Sequence, residues 1–187
     1  MKPTPEQIKK INHFSKVKIE NCKKIADVVT LEKCKSGTHL FKEGDTGDTM
    51  ILVFQGQVEV SKDMMVKTSS GFTTSRKSII RLETTDPKPE KKSETESTVF
   101  VVEAPAFGIG EFSLVLDNAI RTAHVHSTTP LKYGILKLED FTKIVKENPG
   151  IGGNVYFEVA KSAVNNLATV SGDVSNLTHA FFYALSR

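Results

Sequence analysis

Ser36-Gly-Thr-His-Leu-Phe-Lys-Glu-Gly-Asp-Thr-Gly-Asp-Thr-Met-Ile-Leu-Val-Phe-Gln-Gly-Gln-Val-Glu-Val60 is cut into short segments by Gly37, Gly44, Gly47 and Gly56. Gly-Asp-Thr-Gly-Asp at 44–48 is turn chemistry: glycine supplies positive φ, and aspartate bonds its own backbone. Met50-Ile-Leu-Val-Phe then reads as a buried strand, Gly56 as a turn, and Val58-Glu-Val-Ser as the return strand. Short strands set apart by glycine turns indicate a small β-sandwich or barrel.

The same pattern continues outward. Ser78-Ile-Ile-Arg-Leu and Thr98-Val-Phe-Val-Val read as a further strand pair, and Thr122 to Ser127 and Leu131 to Leu138 as the last two strands. Thr84 to Ser97 contains Asp-Pro-Lys-Pro-Glu-Lys-Lys-Ser-Glu and has almost nothing to bury. It is expected to be a mobile, solvated hairpin tip.

Helices are expected at both ends. Ile8, Ile11, Phe14 and Val17 fall three apart, and Ile25, Val28 and Val29 continue an apolar face, so 5–28 reads as helix with a break near residue 18. Leu138, Phe141, Ile144 and Val145 have helical spacing, with Glu139 and Asp140 in the first turn and Asn148-Pro-Gly as the stop. Residues 151–169 form a second helix, apolar on more than one side. Ser171-Gly-Asp173 is expected to break it. A last amphipathic helix carries Val174, Leu177, Phe181 and Leu185, with Asp173 as its N-cap.

Composition excludes several classes. The chain has 187 residues, 39% of them hydrophobic, which fits one domain with a compact core. Its net charge of +3, from 25 basic and 22 acidic residues, is too mild and too scattered to signal nucleic acid. No run approaches the apolar length of a membrane span, and Met1-Lys-Pro-Thr-Pro-Glu lacks the apolar core of a signal peptide. Cys22 and Cys34 have no CxxC spacing and suit free thiols in a reducing cytoplasm. The expected location is cytoplasmic.

The richest chemistry lies in Phe107-Gly-Ile-Gly-Glu-Phe-Ser-Leu-Val-Leu-Asp-Asn-Ala-Ile-Arg-Thr-Ala123. Gly108 and Gly110 let backbone approach a ligand closely. Phe112-Ser-Leu-Val suits a single helical turn. Arg121 offers a planar fork that matches two phosphate oxygens. Glu111 accepts from a sugar hydroxyl, as an acid does on a ribose in dinucleotide sites. On spacing alone, the same two residues also suit an ordinary surface ion pair.

The chain resembles the cyclic nucleotide-binding domain family, which includes catabolite-activator-type regulators and kinase regulatory subunits. Three stretches carry the resemblance: Ser36 to Val60; Phe107-Gly-Ile-Gly-Glu-Phe-Ser-Leu leading to Arg121-Thr-Ala; and Leu138-Glu-Asp-Phe-Thr-Lys-Ile-Val-Lys-Glu-Asn-Pro149. Together they span roughly residues 20–168. The resemblance implies a mainly β fold with flanking helices, a double-stranded β-helix or jelly-roll-like β-roll of about eight strands. Residues 1–30 would be the N-terminal helical segment and 31–138 the roll, with a long hairpin insertion at about 62–100. Residues 139–170 would be lid or dimer helices, and 171–187 an extra helix.

It also implies a ligand, cAMP or cGMP. Glu111 would take the ribose 2′-hydroxyl and Arg121 the cyclic phosphate. The backbones of Gly110, Phe112 and Ser113 would line the pocket, and Thr122 would touch the phosphate or a guanine amine. The helix after Pro149 would lid the base, with Tyr156, Phe157, Val164 or Leu167 as candidates for contact. The chain departs from the family in Ile109, where an aromatic is usual, and in the long insertion.

Other constellations are weaker. His124 and His126 make an H-x-H pair without a third metal ligand, so exposed strand histidines are expected and no metal. Met64-Met65 beside Phe72 reads as hairpin packing. No Walker loop, HExxH or nucleophile elbow is present, and no catalysis is expected. The stretch after Val170 reads as a single amphipathic helix, so no DNA-binding helix-turn-helix is expected. The expected function is a non-enzymatic sensor that couples cyclic nucleotide binding to movement of the C-terminal helices, as a homodimer or with a partner protein. The alternative is a fold relative that binds no nucleotide and serves as an interaction module.

Overall fold

Both faces of Met50-Ile-Leu-Val-Phe54 are buried, and the alternation of side chains along a strand sends them into two different cores. Ile51 and Val53 point into one with Val58, Phe107, Ile109, Val125, Leu131 and Tyr133. Met50, Leu52 and Phe54 point into the other, which the helices fill. A strand covered on both sides reads as an unbroken apolar run.

The computed structural model describes residues 2–87 and 99–185. The N-terminal elements are α1 (Pro5–Lys9), a 3₁₀ turn (Asn12–Phe14) and α2 (Ile19–Val28). The strands are β1 (Thr30–Cys34), β2 (His39–Phe41), β3 (Thr46–Gly47), β4 (Thr49–Gln55), β5 (Gln57–Thr68), β6 (Gly71–Thr84) and β7 (Phe100–Ala104). Then come β8 (Phe107–Ile109), a second 3₁₀ turn (Glu111–Leu114), β9 (Ala119–Ile120), β10 (His124–Ser127), β11 (Leu131–Lys137), α3 (Leu138–Glu147) and α4 (Pro149–Leu185). Sheets of order β1-β11-β4-β8 and β2-β10-β5-β6-β7, with the small pair β3-β9, make a β-roll between N- and C-terminal helices.

The N-terminal segment is less helical than its periodicity implied. Thr4 caps α1 in a capping box with Gln7, and α1 stops at Lys9. From there the chain turns every three residues: the N–H groups of Ile11, Phe14 and Val17 donate to the carbonyls of Ile8, Ile11 and Phe14. A strict spacing of three is the period of a 3₁₀ turn rather than an α-helix. All four apolar residues are buried in the helical layer with Phe141, Ile144, Ile151 and Val155.

The C-terminus is more helical than expected. α4 runs unbroken for 37 residues through Ser171-Gly-Asp173, so there is no separate last helix and Asp173 caps nothing. One interior glycine costs a helix about 1 kcal/mol, and the apolar stripe from Leu167 to Phe181 keeps helical phase across it. Only the first turns of α4 are seated, through Ile151, Val155 and Val159.

The insertion also differs. β5 and β6 form the hairpin, closing at Thr68↔Gly71, and β7 pairs with β6 in parallel, from Ile80↔Phe100 to Thr84↔Ala104. β6 and β7 are therefore not the two arms of one hairpin. The mobility expected after Thr84 concerns 88–98, which lie outside the described residues. Met65 and Phe72 are 76% and 73% exposed and lie on one face of the hairpin, where Met65 pairs with Thr74 and Phe72 with Lys67.

His124 is buried, contrary to expectation, because β5 brings Asp63 across it. Its Nε2 lies 3.1 Å from Asp63 Oδ2, and its Nδ1 accepts from the Glu43 N–H at 3.2 Å. Next to it, Glu59 accepts from Ser78 and, at 2.8 Å, from Arg81 Nε. Burial pushes the Glu59 carboxyl up, but these two hydrogen bonds and the charges of Arg81 and His126 outweigh it and hold the group below its ordinary range. A lowered folded-state pKa stabilises the fold above the unfolded value near 4.5 and loses that contribution as pH falls through the folded value. Glu59→Gln is expected to flatten the acid limb of a stability–pH curve measured by urea denaturation. An unchanged limb would refute the role given to Glu59.

Candidate functional site

Arg121 is fixed from both ends. Its N–H donates to the Asp45 carbonyl at 2.8 Å, and its carbonyl accepts from Gly44 N–H at 2.9 Å. β9 holds the preceding residues against β3, pairing Gly47 with Ala119. The side chain then turns inward, and Arg121 as a whole is 8% exposed. Nη1 donates to Ser113 Oγ at 2.9 Å, and Nη2 to the Thr49 carbonyl and hydroxyl at 2.8 and 3.1 Å. Its Cζ sits 3.7 Å above the centre of the Phe41 ring.

Two glycines make room for it. A Cβ on Gly47 would come within 2.2 Å of the guanidinium, and one on Gly110 within 2.4 Å of Nη1. Gly110 also has φ +78°, the left-handed turn from β8 into the 3₁₀ turn. That turn carries Glu111 and Ser113 past Arg121. Burial pulls the guanidinium below its ordinary pKa, while Asp48 and Glu111 favour its charge. A guanidinium has five N–H donors, so its named bonds leave capacity for an anion.

Glu111 is half-exposed, and among the described residues it has neither a hydrogen bond nor an ion pair within 4 Å. The ordinary surface ion pair with Arg121 is therefore not formed. Gly110, Glu111, Phe112, Ser113, Arg121 and Thr122 instead line one cavity of about 610 Å³. Its far side is apolar, with Val60, Ile80, Leu82 and Val125, and α4 contributes Ser162 and Asn166. A concave, mostly apolar cavity with a few converging polar groups is what a small-molecule site requires.

The expected lid contacts are not there. Tyr156 packs edge-on against Phe141 at 5.9 Å, and Phe157, Val164 and Leu167 are 67%, 64% and 69% exposed. Ser162 and Asn166, four apart on one helix face, line the cavity in their place. Sequence reading also missed Phe41 and Thr49, which hold the guanidinium from β2 and β4. Among the described residues, no cluster of His, Cys, Asp or Glu is placed to hold a metal ion. Nor is any helix there long and apolar enough to cross a membrane.

No family model matches the chain, and no curated protein does. Solved structures do. The N-terminal domain of a transcriptional regulator from Streptomyces coelicolor A3(2) is 19% identical with a TM-score of 0.62, over 88% of this chain and 94% of that one. A cyclic nucleotide-binding domain from Methylobacillus flagellatus KT is 21% identical with a TM-score of 0.60, over 88% of this chain and 76% of that one. This chain has the cyclic nucleotide-binding fold.

The catabolite activator protein of Thermus thermophilus shares the cyclic nucleotide-binding fold at 18% identity and a TM-score of 0.63, over 89% of this chain. The present chain spans 63% of that protein's length. At such identities the likeness is one of fold, so the function of a cyclic nucleotide-binding fold has to be argued from its own site.

Proposed function

We propose that this chain is a cytoplasmic, non-enzymatic sensor that binds cAMP or cGMP in the cavity around Arg121. The observation that carries the reading is the pre-placed guanidinium, buried and braced by Ser113, Thr49 and Phe41, beside a carboxylate with no partner of its own. Arg121 and the Ser113 hydroxyl take the cyclic phosphate, and Glu111 takes the ribose 2′-hydroxyl. Gly110, Phe112 and Thr122 shape the same wall. In this reading the ligand is held and not hydrolysed.

Binding then acts on α4, whose Ser162 and Asn166 face the ligand. A ligand shifts a two-state element only by its differential affinity for the two states, and contacts to α4 supply that difference. Calorimetric titration with cAMP and cGMP tests the reading, with micromolar or tighter binding expected. Chromatography of the incubated mixture checks that the nucleotide is unchanged. Binding of neither nucleotide would favour the interaction module, for which the exposed face of α4 is the surface.

That face also argues for a second copy as partner. Leu167, Val170, Val174, Leu177 and Phe181 alternate three and four apart and are 57–69% exposed. This is the a/d stripe of a coiled coil. Sedimentation at micromolar concentration is expected to give a dimer, and Leu177→Asp a monomer. A monomeric parent protein would refute the dimer.

A further inference from the structure

Two histidines are buried among the described residues; the ring of His124 is partnered by Asp63 and Glu43, whereas that of His13 is not. His13 is 3% exposed, and neither Nδ1 nor Nε2 has a hydrogen-bond partner. A neutral imidazole has one donor and one acceptor, and here both go unmet. Its 3₁₀ turn packs against β8 on one side and α4 on the other. Nδ1 would lie 3.3 Å from a Cβ at Gly108. The ring borders the nucleotide cavity, yet both nitrogens are covered, so it is not placed to grip a ligand.

The charges that act on it are Glu111, in the turn after β8, and Glu158, on α4. β8 itself brings none. On α1, Glu6 is exposed, Lys10 turns to Asp86, and Lys9 to the carbonyls of Ser15 and Val17. Neither carboxylate is within ion-pair distance of the ring.

We propose that His13 is a proton-operated release at the joint between the N-terminal segment and α4: protonation of the ring unseats α4. An imidazolium buried without a partner is strongly disfavoured. Burial accordingly lowers the ring's pKa from its ordinary 6.5, against the pull of Glu111 and Glu158. Proton uptake favours any arrangement in which the ring reaches water or one of those carboxylates. α4 is the element that yields. Its seat is Ile151, Val155 and Val159, whereas the N-terminal segment is anchored by Ile8, Ile11, Phe14 and Val17.

Hydrogen exchange over residues 150–160, corrected for intrinsic rates, tests this without any nucleotide, so failure of the sensor reading would leave the result standing. As pH falls from the ordinary imidazole value of 6.5 toward the lowered pKa of the seated ring, protection in the parent protein should fall by up to about tenfold per pH unit and then level off, and in His13→Phe it should not. The same pH response in both proteins would overturn the proposal. Should His13→Phe not fold, His13→Gln and the parent's own ring titration by NMR decide. A lowered pKa with α4 amides shifting in step supports the release. A ring that titrates at its ordinary value while α4 stays still refutes it.

Discussion

Arg121→Ala is expected to weaken cAMP and cGMP binding by about 2–5 kcal/mol, because it leaves a desolvated phosphate without its charged partner. That is a loss of roughly thirtyfold at the least. The effect is large because the guanidinium is already in place: Ser113, Thr49 and Phe41 hold it before the ligand arrives, so little ordering is left to offset the charge-assisted bonds. Arg121→Lys should recover only part of the loss. A lysine keeps the charge but cannot stack flat on Phe41 or donate in a fork to Ser113 and Thr49 at once. Calorimetry reads both variants, and thermal melts show whether each is still folded. Micromolar binding that ignores Arg121→Ala would remove this residue from the phosphate site and with it the reason for calling the cavity a nucleotide site.

The turn that positions Arg121 was legible because its constraints are local. Gly110 must be glycine for its φ, and the acid and base that follow are read directly from the chain. The strands were legible for the same reason, since Met50 to Phe54 must be covered on both sides. What braces the guanidinium was not legible. Phe41 and Thr49 reach it from strands some seventy to eighty residues earlier, through pairings that only closure of the roll creates. The burial of His124 under Asp63 is likewise a cross-strand event, invisible in an H-x-H spelling.

The two helical errors share another cause. Periodicity locates apolar faces but not the hydrogen bonds that produce them. A spacing of three over Ile8 to Val17 suits an α-helix loosely, but successive i→i+3 bonds produce it directly. At the other end Ser171-Gly-Asp173 has the composition of a stop, yet the apolar stripe keeps helical phase straight through it from Leu167 to Phe181. The weak formers were visible; the continuity of the stripe across them was the stronger signal. The lid residues were misplaced for a related reason. Which face of α4 meets the cavity depends on how Ile151, Val155 and Val159 seat it, and that is a packing outcome.

That seat leads to the second large prediction, Phe141→Ala. Phe141 is fully buried in the helical layer and meets Tyr156 of α4 edge-on at 5.9 Å. Truncating a buried phenylalanine costs about 3–5 kcal/mol, from lost burial and from the cavity left behind. The cost falls first on the helical layer, into which β4 sends Met50, Leu52 and Phe54 and the turn before Arg121 sends Leu114. The interior of the roll, built on Ile51, Val53, Phe107 and Val125, does not include Phe141, and neither do the groups around Arg121. Urea denaturation followed by circular dichroism should therefore show the helical signal lost at lower urea than in the parent protein. Nucleotide affinity measured in buffer should fall less than in Arg121→Ala, since the phosphate grip survives and only the support of α4 is loosened. If Phe141→Ala abolished binding as thoroughly as Arg121→Ala while the roll stayed folded, the grip would depend on the helices. The site would then be a product of α4 docking and not of the roll.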